Sequence, residues 1–275
     1  MTSPALQEVI ALLAAPAAGH PAQYLFERAI EAAGLDWRFL TFDVEPPRLA
    51  AALGGAEALG LKGCLIGGSL QAAAAPLAAS LSPAAAFSSA ASLLARDEAG
   101  GLAGHMTEGR GIVEALRGHI DPAGRDVLVL GAGPLARASA LELALAGVSG
   151  LVVSDPDAAR ADALVGRLAD ISAAGVERLD WCSGLAIPPQ ATIVVNAVDA
   201  AIGAVTVTGL RGDLVLVEPH LAASALAGQA VAAGACVVDG IEVHATRTAI
   251  DFHTLTGMEA DTDMLREALD EFLSA

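Results

Sequence analysis

Residues 127–136 constrain this chain more than any other stretch. Four apolar residues, Val127, Leu128, Val129 and Leu130, run straight into Gly131-Ala132-Gly133-Pro134-Leu135-Ala136, and an alanine- and leucine-rich segment follows to Gly147. The pattern reads as a buried strand, a glycine turn and a helix, the opening unit of a dinucleotide-binding βαβ fold. Gly131 supplies the tight turn. Gly133 lets the backbone approach a pyrophosphate, and Ala136 is small enough for the helix to lie on the strand. The helix start offers free N–H groups and the positive end of its dipole to phosphates.

The next strand, Leu151 to Ser154, ends at Asp155. An acid roughly 20 residues after such a turn contacts the adenine ribose hydroxyls. A carboxylate there repels the extra phosphate of NADP. Pro156 and Asp157 follow rather than an arginine, and Asp157 is the better cap for a helix over 157–169. The expected cofactor is therefore NAD, with NADP disfavoured.

Around this unit the sequence alternates strands and helices. Helical periodicity covers 22–34, 48–59 and 109–118, with strands at 37–44 and 63–66 and a hairpin through 93–95 and 101–103. Past a polar junction at 118–124 come strand 127–130, helix 134–146, strand 150–154, helix 157–169, strands 192–196 and 214–217, helix 222–233 and strand 235–238. Two helices, 246–257 and 261–273, finish the chain. The expected class is α/β. An N-terminal α/β substrate domain (1–119, completed by 246–275) is joined to a Rossmann domain (120–245).

The net charge of −17 argues against nucleic acid and anionic membrane as partners. The three cysteines, Cys64, Cys182 and Cys236, are odd in number and widely spaced. They form neither a disulfide framework nor a zinc pattern, and no metal is expected. They fit a reducing cytoplasm, and the first residues lack the basic region of a signal peptide. The sequence admits a homodimer without specifying one.

The order of parts resembles the shikimate/quinate dehydrogenase family. Gly60-Leu61-Lys62-Gly63 is similar to the approach to that family's catalytic loop. Residues 104–111 resemble its G-x-N-T-D-x-x-G segment, 234–240 the strand before its last helices, and 252–257 its F-x-x-W-T-G ending. The resemblance implies hydride transfer between a nicotinamide cofactor and a small hydroxy or oxo acid. It also implies cofactor contacts from Asn196 and Ala197, in the segment matching N-A-T-P, and from Gly240, in the turn matching G-x-G-M. That turn puts Glu242 where the family has glycine.

The catalytic positions depart from the family. Its lysine falls at Gln71, its aspartate at Glu108, and two asparagines at Met106 and Ala91. The two serines that hold the substrate carboxylate fall at His20 and Ala22, and a C-terminal glutamine at Arg247. From these positions Glu108 is the expected acid/base group, with His20 as a second proton or substrate contact. Gln71 would orient the substrate, and Arg247 would clamp an anionic group. The substrate expected is a small anionic organic acid other than shikimate. A non-catalytic NAD-binding protein of the same fold, or shikimate dehydrogenase with a rearranged site, are the alternatives.

Overall fold

A computed structural model of the chain describes residues 7–199, 205–222 and 224–275. The chain divides into two compact units, one ending at Thr107 and resuming over Ala245–Ala275, the other covering Glu108–His244.

The first unit holds β1 (Glu8–Ala14), α1 (Ala22–Ala32), β2 (Trp37–Asp43), α2 (Leu49–Ala58), β3 (Gly63–Ile66), α3 (Gln71–Ala74), β4 (Ser80–Leu81), α4 (Pro83–Ser88), β5 (Leu93–Arg96) and β6 (Leu102–His105). Its sheet runs β2-β1-β3-β5-β6-β4. β1 pairs parallel with both β2 and β3, and β5 runs antiparallel between β3 and β6. Periodicity does not single out Glu8–Ala14, which is rich in helix-forming alanine and leucine. It becomes a strand because its last five residues are buried between two parallel neighbours, where a continuous apolar run is required.

The second unit holds α5 (Glu108–Arg117), β7 (Asp126–Leu130), α6 (Pro134–Leu145), β8 (Gly150–Ser154), α7 (Ala158–Ala169), β9 (Gly175–Arg178), β10 (Leu185–Ala186), β11 (Ala191–Asn196), β12 (Val207–Thr208), β13 (Val215–Val217), α8 (Ala225–Ala232) and β14 (Cys236–Val238). Its main sheet is wholly parallel, in the order β14-β13-β11-β7-β8-β9. This is the expected Rossmann arrangement, with β7 at the centre.

The division falls before α5, not at 119. A Cβ on Gly109 would strike the backbone of Ala138 and Ser139, so α5 lies directly against α6 and belongs with it. The chain closes with α9 (Gly240–Thr256) and α10 (Thr262–Ser274). α9 starts six residues earlier than 246, because the Asp239 carboxylate accepts from the Glu242 N–H and opens the helix there. Phe252 of α9 is fully buried against Phe26, which also meets Phe39 of β2. The C-terminal helices thus complete the core of the first unit. Among the described residues no helix is long and apolar enough to cross a membrane.

Candidate active site

The glycine turn is built as its sequence implies. Gly131 has φ +106, a left-handed value, and a Cβ there would lie 2.5 Å from the Ala197 carbonyl oxygen. Gly133 is different. Its φ of −72 suits any residue, and a Cβ would meet nothing within 4 Å. Its missing side chain therefore serves neither conformation nor packing; it leaves open the space at the start of α6. Pro134 takes the first helical position, where its absent N–H costs nothing. The Leu135 carbonyl accepts from Ser139, and Ala136 is fully buried.

Asp155 follows β8 and is 3% exposed. Its Oδ2 accepts from the Ala132 N–H at 2.7 Å, and its Oδ1 from the Asp157 N–H at 2.8 Å. Arg160 adds Nη2 at 2.7 Å and Nε at 3.2 Å. The acid expected to be open toward a ribose is thus tied into the turn and carries its own counter-charge. Arg137, whose Nε donates to the Ala132 carbonyl, is the other cation at this place. Burial, then the charges of Arg167 and Arg160, hold its guanidinium below the usual range. Asp157 caps α7, as the sequence indicates.

Asn196 ends β11 and donates to Glu218 Oε2 at 2.8 Å, which also accepts from Ser224 at 2.5 Å. Both side chains are buried. Asn196 Oδ1 and Glu218 Oε1 have no hydrogen-bond partner among the described residues. Buried acceptors without donors are rare, and a ligand bearing a donor would satisfy them. Sequence reasoning missed Glu218; the available signal was a lone acid closing the apolar strand Val215–Val217. Ala197 is buried beside Gly131, and Gly240 sits against the His220 carbonyl.

In the first unit His20 follows the carboxyl end of β1 and Gln71 that of β3, while Arg247 lies on α9. Gln71 is 4% exposed, and its Nε2 donates to the Ile66 carbonyl at 3.2 Å. Its own main-chain carbonyl accepts from the Ala91 N–H. The next residue, Ser92, begins a buried chain of contacts. Ser92 Oγ lies 3.1 Å from Thr107 Oγ1, and Thr107 donates to Asp251 Oδ1 at 2.6 Å. Asp251 is 1% exposed, and its Oδ2 lies 3.3 Å from Arg247 Nε. Arg247 therefore has its charge matched one helical turn along α9. Sequence reasoning did not pick out Thr107 or Ser92, because Thr107 lies 144 residues from its partner Asp251.

His20 follows β1, and its Nδ1 accepts from the Ala22 N–H at 3.2 Å. When the ring is neutral, its proton is therefore on Nε2. Glu108 opens α5 and falls in the second unit, while Gln71, His20 and Arg247 fall in the first. Glu242 holds His119 at 3.0 Å. No group of His, Cys, Asp and Glu among the described residues could hold a metal ion.

No family model matches the chain. Shikimate dehydrogenase (NADP(+)) from Citrifermentans bemidjiense is 33% identical over 256 residues, covering 88% of this chain and 87% of that protein. The chain belongs to the shikimate dehydrogenase family. The protein of the same name from Moorella thermoacetica is 32% identical over 274 residues, covering 94% and 92%. Among solved structures, ligand-free 5-ketofructose reductase of Gluconobacter sp. strain CHM43 has a TM-score of 0.89 at 27% identity, covering 97% of this chain and 99% of that one. Shikimate 5-dehydrogenase from Listeria monocytogenes, in complex with shikimate and NAD, shares the fold with a TM-score of 0.84 at 24% identity, covering 96% of each chain. Membership is thus clear across the whole chain, while Gln71 stands where the resemblance implies the family's lysine.

Proposed function

We propose that the chain is an oxidoreductase that moves hydride between a nicotinamide dinucleotide and a small hydroxy or oxo compound other than shikimate. Gln71 carries this reading. It is buried and held on the Ile66 carbonyl, where the resemblance implies a lysine. Lys62 is the only lysine in the chain. It lies before β3, at the opposite end from Gln71, 3.4 Å from Glu8 and 5.9 Å from the Trp37 ring centroid. An amide can orient a hydroxyl but cannot titrate, and acid/base catalysis is worth roughly 10²–10⁴ in rate. The same reaction on shikimate would lose that factor.

The matched Arg247–Asp251 pair offers less attraction to a carboxylate than a lone arginine would. An uncharged hydroxy-ketone therefore suits this unit better than an acid, in line with the name of the 5-ketofructose reductase neighbour. A small anionic acid is the second reading, favoured by the presence of Arg247 itself.

For the cofactor, the curated relatives are named for NADP(+). The Asp155 charge that would turn a 2′-phosphate away is offset by Arg160, with Arg137 and Arg167 in electrostatic range. That balance favours NADP(H) over the NAD expected from the sequence. The open space at Gly133 and the orphaned acceptors of Asn196 and Glu218 fit a dinucleotide. When bound, the cofactor supplies or accepts the hydride. Residues 131–136 would hold its phosphates; by the resemblance to the family, Glu108 would take or return the hydroxyl proton and Gln71 would orient the substrate oxygen.

The test is NADPH oxidation with small ketones, 5-ketofructose and small oxo acids among them, beside NADP+ reduction with shikimate. Ketone turnover well above shikimate turnover is expected. Shikimate as the best substrate would overturn the substrate reading. Absence of both turnover and dinucleotide binding would overturn the oxidoreductase reading.

A further inference from the structure

We propose that Cys236, His119 and Glu242 form a nucleophilic thiol site that takes up low-molecular-weight disulfides as mixed disulfides. Cys236 opens the edge strand β14 and is exposed. Its Sγ lies 3.4 Å from His119 Nδ1. The other ring nitrogen, Nε2, lies 3.0 Å from both carboxylate oxygens of Glu242. Glu242 is held in turn by its main-chain N–H, which donates to Asp239 Oδ1 at 3.0 Å.

The partners fix the proton positions. An ionised carboxylate can only accept, so Nε2 carries a proton toward Glu242. In the neutral ring Nδ1 is then the acceptor, and the thiol is its donor. This is the order of roles in an activated nucleophile: an attacking atom, a base within reach, and a third group that orients the base. The line-up is a relay rather than a metal cage, because His119 spends each ring nitrogen on a different neighbour. Accordingly, no metal-holding group is found among the described residues.

The other two cysteines lack this arrangement. Cys64 is buried in β3, and burial pushes its thiol up to about 12. Cys182 is exposed but has no histidine against it among the described residues. The site also lies away from the glycine turn. Cys236 aligns through Val215 and Ile193 with Val127, near the start of β7. The turn follows Leu130 at the other end, about 10 Å along the strand.

The reaction balances without a further reagent. His119 Nδ1 takes the thiol proton as Cys236 Sγ attacks one sulfur of the disulfide. A new S–S bond forms and the old one breaks. The departing thiolate takes the proton back from the imidazolium and leaves as a thiol. Cys236 is oxidised, and the departing half of the disulfide is reduced.

The test treats the folded, full-length protein with glutathione disulfide near neutral pH and follows each cysteine by peptide mass. Cys236 is expected to form the mixed disulfide at least about tenfold faster than Cys182. His119→Gln should bring Cys236 down to the Cys182 rate while leaving Cys182 unchanged, and Glu242→Gln should slow it severalfold. Circular dichroism and continued protection of Cys64 report that each variant is folded. If His119→Gln does not fold, Glu242→Gln alone decides. Equal rates at Cys236 and Cys182 in the parent protein, or a folded variant of either partner with an unchanged Cys236 rate, overturn the proposal.

Discussion

Asp155 and Arg160 are bound to each other through both Nη2 and Nε of the guanidinium, at 2.7 and 3.2 Å, five residues apart at the start of α7. Asp155 is buried while the Arg160 side chain is 41% exposed, so the pair presents its cationic face to solvent. Arg160→Ala exposes the Asp155 charge to whatever binds there. The expected outcome is a loss of NADPH affinity of about tenfold or more, the scale of one charge-assisted hydrogen bond, with little change for NADH. Nicotinamide fluorescence titrations with both cofactors measure it. Equal losses for the two would remove the arginine from cofactor discrimination.

Gly133 and Gly131 separate ligand effects from folding effects. Gly133→Val places its side chain in open space at the start of α6, so thermal stability should change little while dinucleotide affinity falls by an order of magnitude or more. Gly131→Ala meets the Ala197 carbonyl at a positive φ and should lower the melting temperature outright. Tight NADPH binding by Gly133→Val would mean that the open space is not where the phosphates lie.

Arg247→Ala leaves the buried Asp251 carboxylate with the Thr107 hydroxyl but without its cation. The expected cost is about 3–5 kcal/mol of stability. Asp251→Asn with Arg247→Met should cost less than the single change, because both charges go together. Urea unfolding of the three proteins tests this. A single variant as stable as the parent would show that Arg247 is held for a ligand, not for Asp251.

Glu108→Gln keeps the shape of the side chain at the first turn of α5 and removes its proton chemistry. For any substrate found, kcat should fall by roughly 10²–10⁴ with a small change in KM. Near-normal turnover would return Glu108 to the role of a helix-start acid.

His105 at the end of β6 supplies a pH dependence. Burial lowers its pKa from the ordinary 6.5, so the unfolded chain binds the proton more readily than the folded one. Its contribution is therefore intact above about pH 6.5 and is lost as pH falls through that value toward the lower folded one. His105→Gln should flatten the acid side of the stability profile. An unchanged profile would assign the acid sensitivity to other groups.

The Rossmann half was legible because its evidence is local. Strand, turn and helix at 127–146 declare themselves within one short window, and Asp157 caps α7 two and three residues from the groups it satisfies. The first unit was harder. β1 carries no period and, apart from Val9 and Ile10, no strong strand formers, and its neighbours on both sides make it a strand. The boundary at 119 was misplaced because a polar junction resembles a linker, whereas the fit of Gly109 against Ala138 is invisible without α6 beside it.

The candidate residues divide in the same way. The resemblance to the family implied Gln71, Glu108 and Arg247 as departures from it, and spacing marked Asp155 as the acid after β8. What each side chain touches came from elsewhere. Arg160 reaches back to Asp155, and Thr107 closes on Asp251 from the far side of the sequence. His119, Cys236 and Glu242 meet from a loop, a strand edge and a helix start.

The sequence by itself determined the α/β class and the glycine turn, since these rest on short-range periodicity and on residue types at fixed spacing, and its motifs carried the resemblance to the family. The tertiary structure alone decided which charges are matched and which thiol has a base beside it. Electrostatic and hydrogen-bonding partners are set by distance in space, and residues 119 and 242 become neighbours only when the chain is folded.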